Sequence, residues 1–104
     1  MEKRKPTYDL TAIRNTFDAV EKLNVTATAV RSAAALGFGR TEIVATIQTM
    51  QHAHFHKSMT SFGDHRVWQD VYNVPSEAGM LYVKFTANVL TAFLLLSFKR
   101  KDDD

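Results

Sequence analysis

The spacing of apolar residues in this chain changes once. Up to about residue 50 they recur every three or four positions, and from Phe55 onward they recur every second position. A period of 3.6 marks helices with one buried stripe, and a period of 2 marks strands with one buried face. Helices must therefore come first, followed by strands joined through short turns. Consecutive strands with short connections pair antiparallel. The expected class is α+β, with N-terminal helices packed on an antiparallel sheet. One domain spanning 1–104 is expected, with 1–6 and 100–104 as frayed tails.

In the helical half, Thr7 is placed to cap a helix, and Asp9 in its first turn complements the helix dipole. Leu10, Ile13, Phe17 and Val20 supply the stripe to about Leu23, with Asn24 as a stop. Residues 25–27 read as a short strand or a linker. Thr28 caps a small-residue helix from Ala29 to Leu36, ended by Gly37. A third helix runs from Thr41 to Met50, with Ile43, Val44, Ile47 and Met50 on its apolar side. None of the three carries recognisable chemistry.

The strands are expected at Phe55–Ser61, Val67–Val74, Met80–Ala87 and Val89–Lys99. Turns fall at Phe62–His65, between Pro75 and Gly79, and at Asn88. Lys57 and Met59 share one face of the first strand, and His56 and Ser58 the other. Leu81, Val83 and Phe85 share one face of the third, with Tyr82 and Lys84 opposite. The last strand is the most apolar and is expected to be central, buried on both faces.

Cysteine is absent. That excludes disulfides, thiolate zinc sites and cysteine nucleophiles, and it fits a reducing compartment. The N-terminus is charged, with no apolar stretch behind it. The longest apolar run, Ala92–Leu96, is far shorter than the roughly 20 residues that span a bilayer. A soluble cytoplasmic protein with no membrane partner is the simplest reading. Setting aside Asp102, Asp103 and Asp104 leaves 13 basic against 8 acidic residues, a net charge of +5. Lys99, Arg100 and Lys101 precede that acidic tail. A compact basic patch suits a polyanion, and a solvated charge run is the plain alternative.

Several side-chain groups invite a chemical reading. His52, His54 and His56 alternate and would share a strand face fit for zinc or nickel, but a strand starting near Phe55 breaks that alternation, and an exposed polar loop is the better reading. Asp64 and Asp70 straddle a turn. Asp64 reads as a turn residue and Asp70 as a partner for Arg or Lys, rather than as an acid/base pair. Trp68 offers a stacking surface for a base, although a lone strand tryptophan is more often core. Lys57, Gln69, Tyr82 and Lys99 come one from each predicted strand. On neighbouring strands they converge: two ammonium groups hold a phosphate, an amide orients it, and a phenol beside lysines serves as base. Each of the four also reads as an ordinary strand-face polar group.

KSMT at 57–60, DH at 64–65, WQDVY at 68–72, G-x-LYVK ending at Lys84 and SFK at 97–99, with the opening MEKR, resemble the motility quorum-sensing regulator toxins. The resemblance spans nearly the whole chain. It implies a RelE-like fold and a metal-independent, cofactor-free endoribonuclease that cuts single-stranded messenger RNA, preferentially around GCU. It places the functional residues on Lys57, Gln69, Tyr82 and Lys99, with Met59 nearby, and it draws Lys84, Asn73 and His56 into the substrate path. Two positions depart from the family pattern: Asn73 stands where an arginine is usual, and His56 where an aromatic residue is usual. The implied partner is a cognate antitoxin with a zinc-binding domain and a helix-turn-helix domain. Through it the toxin would reach operator DNA only indirectly. The other reading is a catalytically weak antitoxin-binding regulator, which the missing arginine at Asn73 would favour. A plain RNA-binding module is a third.

Overall fold

The computed structural model describes residues 1–87 and 93–102. Its elements are β1 (Glu2–Lys3), α1 (Leu10–Thr16), α2 (Ala27–Ala35), α3 (Arg40–Gln48), β2 (Phe55–Thr60), β3 (Trp68–Ser76), β4 (Gly79–Ala87) and β5 (Phe93–Arg100), with 3-10 turns at Val20–Lys22 and His52–His54. The expected α+β class is present. Three helices cover one face of a five-stranded antiparallel sheet of order β1-β2-β3-β4-β5. This is the helical layer on a sheet that a RelE-like fold implies.

Side-chain caps set the helix starts, and each lies one or two residues from the expected position. The Asp9 carboxylate caps α1 by accepting from the Thr11 amide at 3.2 Å. Thr26, not Thr28, caps α2 by accepting from the Ala29 amide at 3.1 Å. Glu42 reaches back to the Gly39 amide at 2.7 Å and closes the start of α3. The helix α1 ends at Thr16 rather than Leu23. Phe17 is fully buried and stacks on Phe85 with ring centres 5.7 Å apart. Val20 continues the apolar spacing but is 37% exposed, so the stripe outruns the helix.

Leu10, Ile13, Phe17, Ala33, Ile43 and Ile47 from the helical layer meet Tyr72, Val74, Leu81, Val83, Phe85 and Phe98 from the sheet. Leu81, Val83 and Phe85 alternate inward as expected, which leaves Tyr82 and Lys84 on the uncovered face. On β2, Ser58 and Thr60 are buried and Lys57 and Met59 face away from the helices. A register shift between Phe55 and Lys57 interrupts the alternation at His56. Pro75 lies inside β3, paired with Met80, instead of bounding a loop. It is tolerated because β2 pairs with β3 only as far as Tyr72, so Pro75 has a ladder neighbour on one side alone. The β3–β4 turn needs Gly79, whose φ is +103°.

Both chain ends depart from expectation. Residues 1–6 are not a frayed tail. Glu2 pairs with Met59 and Lys3 with Ser58. The Met1 ammonium donates to the Thr60 hydroxyl at 3.1 Å, and the Thr60 amide donates to the Met1 carbonyl at 2.9 Å. The Thr7 amide donates to both oxygens of Asp70 at 3.1 and 3.0 Å, and the Tyr8 amide donates to Oδ2 at 2.8 Å. Asp70 is fully buried; it holds backbone amides, not the Arg or Lys expected of it.

At the other end, Arg100 belongs to β5 rather than to a tail, and β5 is an edge strand rather than the central one. Phe93, Leu95 and Phe98 turn to the core. Residues 24–26 cover the outer edge: the Thr26 amide donates to the Leu95 carbonyl at 3.1 Å and the Leu95 amide to the Asn24 carbonyl at 2.9 Å. The segment at 25–27 thus contributes one parallel bridge, Val25 to Leu95, before α2 begins. A continuous apolar run signals burial without saying whether the cover is a second face or a protected edge. The expected turn at Asn88, the start of the last strand at 89–92, and Asp103 and Asp104 lie outside the described residues.

Candidate active site

Antiparallel register converts the uncovered sheet face into rows. Lys57 stands opposite Val71, Val71 opposite Lys84, and Lys84 opposite Ser97. On one side of this row Asn73, Tyr82 and Lys99 form another, and on the other side Met59, Gln69 and Thr86 form a third. Strands lie about 4.8 Å apart, so Lys57 and Lys84 start roughly 10 Å from each other. Lys84 and Lys99 are diagonal neighbours, about 7–8 Å apart at the backbone. The sheet therefore brings Lys57, Gln69, Tyr82 and Lys99 to one face with Met59, Asn73 and Lys84.

Lys84 sits at the centre. Burial first, then the charges of Lys99 and Lys57, pull its pKa below the usual lysine value. That combination fits three lysines sharing one partly dry surface. Val71 is fully buried yet does not belong to the core cluster. It lies on the uncovered face between Lys57 and Lys84, its cross-strand neighbours. The Lys99 ammonium is 5.6 Å from the centre of the Tyr82 ring, within cation–π range. Asn73, opposite Tyr82, has a buried Oδ1 with no hydrogen-bond donor among the described residues.

His56 sits at the irregularity beside Lys57. Burial, then the charges of Lys57, Lys101 and Arg4, lower its pKa from the ordinary 6.5, with Glu2 opposing weakly. The expected point of opposite faces for His56 and Lys57 rests on strict alternation, which the bulge removes. An NMR titration of the imidazole is expected to give a midpoint below 6.5. Since the folded-state pKa is the lower one, protonation disfavours the folded state. This group therefore withdraws stability as pH falls through its unfolded value and has no effect well above it.

Other candidates separate from this face. Trp68 is half-buried on the helix side of β3, and the Lys3 ammonium lies 4.2 Å from its ring centre. Asp64 is paired with Arg66 at 3.1 Å in the turn, which holds its pKa below the usual carboxylate value; Asp70 is on the buried side, so the two do not form a pair. His52 and His54 lie in a 3-10 turn, where His54 Nδ1 accepts from the Gln51 amide at 3.0 Å. Among the described residues no three His, Asp or Glu side chains are grouped to hold a metal ion. A concavity lies elsewhere, between Leu36–Phe38, α3 and the β3–β4 turn. Glu42 and Glu77 line it and no Lys or Arg does, so it does not suit a polyanion.

One residue at this face escaped the sequence reading. Glu2 Oε1 lies 2.6 Å from Lys57 Nζ, and that contact lowers the Glu2 pKa. A two-residue strand is too short to show a period, so no local pattern marks Glu2.

Two comparisons with known proteins place the chain in a family. The family model described as motility quorum-sensing regulator, toxin of MqsA, matches residues 5–100. The mRNA interferase toxin MqsR of Escherichia coli (strain K12) is 35% identical over 101 residues, covering 97% of this chain and 100% of that protein. With a family model matched over residues 5–100 and a relative 35% identical over its whole length, the chain belongs to the motility quorum-sensing regulator toxin family.

Proposed function

We propose that this protein is the toxin of a type II toxin–antitoxin pair and acts as a metal-independent endoribonuclease on single-stranded messenger RNA, with a preference around GCU. The observation that carries this is the convergence of Lys57, Lys84 and Lys99 with Tyr82 and Gln69 on one sheet face. The name of the Escherichia coli relative, mRNA interferase toxin, points the same way.

In the proposed reaction the ribose 2′-oxygen attacks the adjacent phosphorus. The P–O5′ bond breaks, leaving a 2′,3′-cyclic phosphate and a 5′-hydroxyl. A proton leaves the 2′-hydroxyl and another reaches the departing 5′-oxygen. The three ammonium groups offset the charge that grows on the non-bridging oxygens. Tyr82, between Asn73 and Lys99, and His56, whose pKa is lowered by burial and by the neighbouring cations, are the groups suited to carry protons. Gln69 and Met59 flank the cluster and hold the substrate. Bases must be unpaired to lie against a sheet face, which selects single strands. A cognate antitoxin with zinc-binding and helix-turn-helix domains would neutralise the toxin and repress the shared operon with it.

The test is incubation of a defined RNA carrying several GCU sites in EDTA. Cuts at those sites, with cyclic phosphate ends and loss of cutting in Tyr82→Phe, are expected. Intact RNA from a protein that binds its antitoxin tightly would overturn the nuclease reading and leave the antitoxin-binding regulator.

A further inference from the structure

We infer that Glu2 is a positioning residue of this site: β1 delivers its carboxylate to Lys57 and fixes the ammonium for the phosphate. This rests on the nuclease reading above and extends the site to a fifth strand. Glu2 Oε1 is 2.6 Å from Lys57 Nζ. The register of Glu2 opposite Met59 puts it on the uncovered face. The segment carrying it is tied down on both sides. Before it, Met1 exchanges hydrogen bonds with Thr60. After it, Lys3 lies over Trp68, the Thr7 hydroxyl meets Ser58 at 2.7 Å, and the amides of Thr7 and Tyr8 end on Asp70.

Lysine needs such a partner here. Its stem has four rotatable bonds, and its head is a point charge without a fixed direction. Lys57 also shares its face with two more ammonium groups that repel it. The Lys57 side chain is 28% exposed and that of Glu2 59%. A pair so open adds little to folding stability. Its consequence is geometric: one ammonium orientation dominates before RNA arrives, so less order is lost at the transition state. The same carboxylate lies near the RNA path and repels phosphate. These two effects act on different kinetic constants, which makes them separable.

The experiment compares wild type, Glu2→Gln and Glu2→Asp with a short GCU-containing RNA. It measures kcat and KM, and 13C relaxation of the Lys57 ε-methylene without RNA. For Glu2→Gln we expect kcat to fall about 2- to 5-fold, KM to stay level or fall, the methylene to become more mobile, and the melting temperature to hold. Glu2→Asp, which keeps the charge on a shorter stem, recovers part of kcat. An unchanged kcat with a lower KM, or an equally mobile methylene in Glu2→Gln, overturns the inference and leaves Glu2 a repelling surface charge. Absence of cleavage by the wild type overturns the nuclease reading itself, and with it any catalytic use of the pair.

Discussion

Replacing Lys84 by methionine is expected to lower kcat/KM for RNA cleavage by about 100- to 1,000-fold. Methionine keeps a long apolar stem opposite Val71 and removes only the charge, so the variant should fold and melt like the wild type. The effect is large because of where the charge sits. Lys84 lies between Lys57 and Lys99 and is the lysine whose pKa is lowered by burial and by both neighbours. A partly desolvated ammonium interacts with phosphate far more strongly than one in water. The salt dependence of RNA binding should flatten as well, by roughly 0.7 in the log–log slope if one phosphate contact is lost from a single strand. A loss below threefold in kcat/KM, with the salt slope intact, would move the phosphate away from the centre of the lysine row.

The second large effect concerns stability. Asp70→Asn is expected to lower the unfolding free energy by about 2–4 kcal/mol, and the melting temperature by about 10 °C or more for a chain of this size. Asp70 is fully buried and receives the amides of Thr7 and Tyr8 through three contacts of 2.8–3.1 Å. An asparagine keeps one acceptor oxygen and turns an NH2 group toward the remaining amides, so a donor is left buried and unpaired. Amide exchange at Thr60 should quicken in the variant, because β1 loses one of its two anchors. Activity should then fall even at temperatures where the variant stays folded, since Glu2 no longer stays beside Lys57. A change below about 0.5 kcal/mol, within the range of ordinary surface substitutions, would mean that backbone pairing alone holds the N-terminal segment.

What could be read in the sequence follows the reach of local patterns. The alternation of Leu81, Val83 and Phe85 against Tyr82 and Lys84 forces those two groups onto the face away from the core. The same rule orients Lys57 and Met59. Short turns between consecutive strands then fix an antiparallel order, which is why Lys57, Gln69, Tyr82 and Lys99 could be drawn together before any coordinates. The motif resemblance supplied the family and the chemistry that such a set performs. Periodicity failed where a pattern was too short or had two causes. Two residues, Glu2 and Lys3, cannot display a period. The apolar run ending at Lys99 has the same appearance in a central strand as in a covered edge. The stripe through Val20 continued past the last turn that the core could use.

The sequence by itself thus determined the class, the antiparallel pairing of consecutive strands and the face on which Lys57 and Lys84 stand, because side-chain alternation is a property of each strand alone. Only the tertiary structure decided three things: that Lys84 is the central, partly desolvated charge, that His56 sits at a bulge, and that Glu2 reaches Lys57. Each depends on register between strands and on long-range hydrogen bonds such as those from Thr7 and Tyr8 to Asp70, which join residues more than 60 positions apart. No local pattern encodes contacts at that separation.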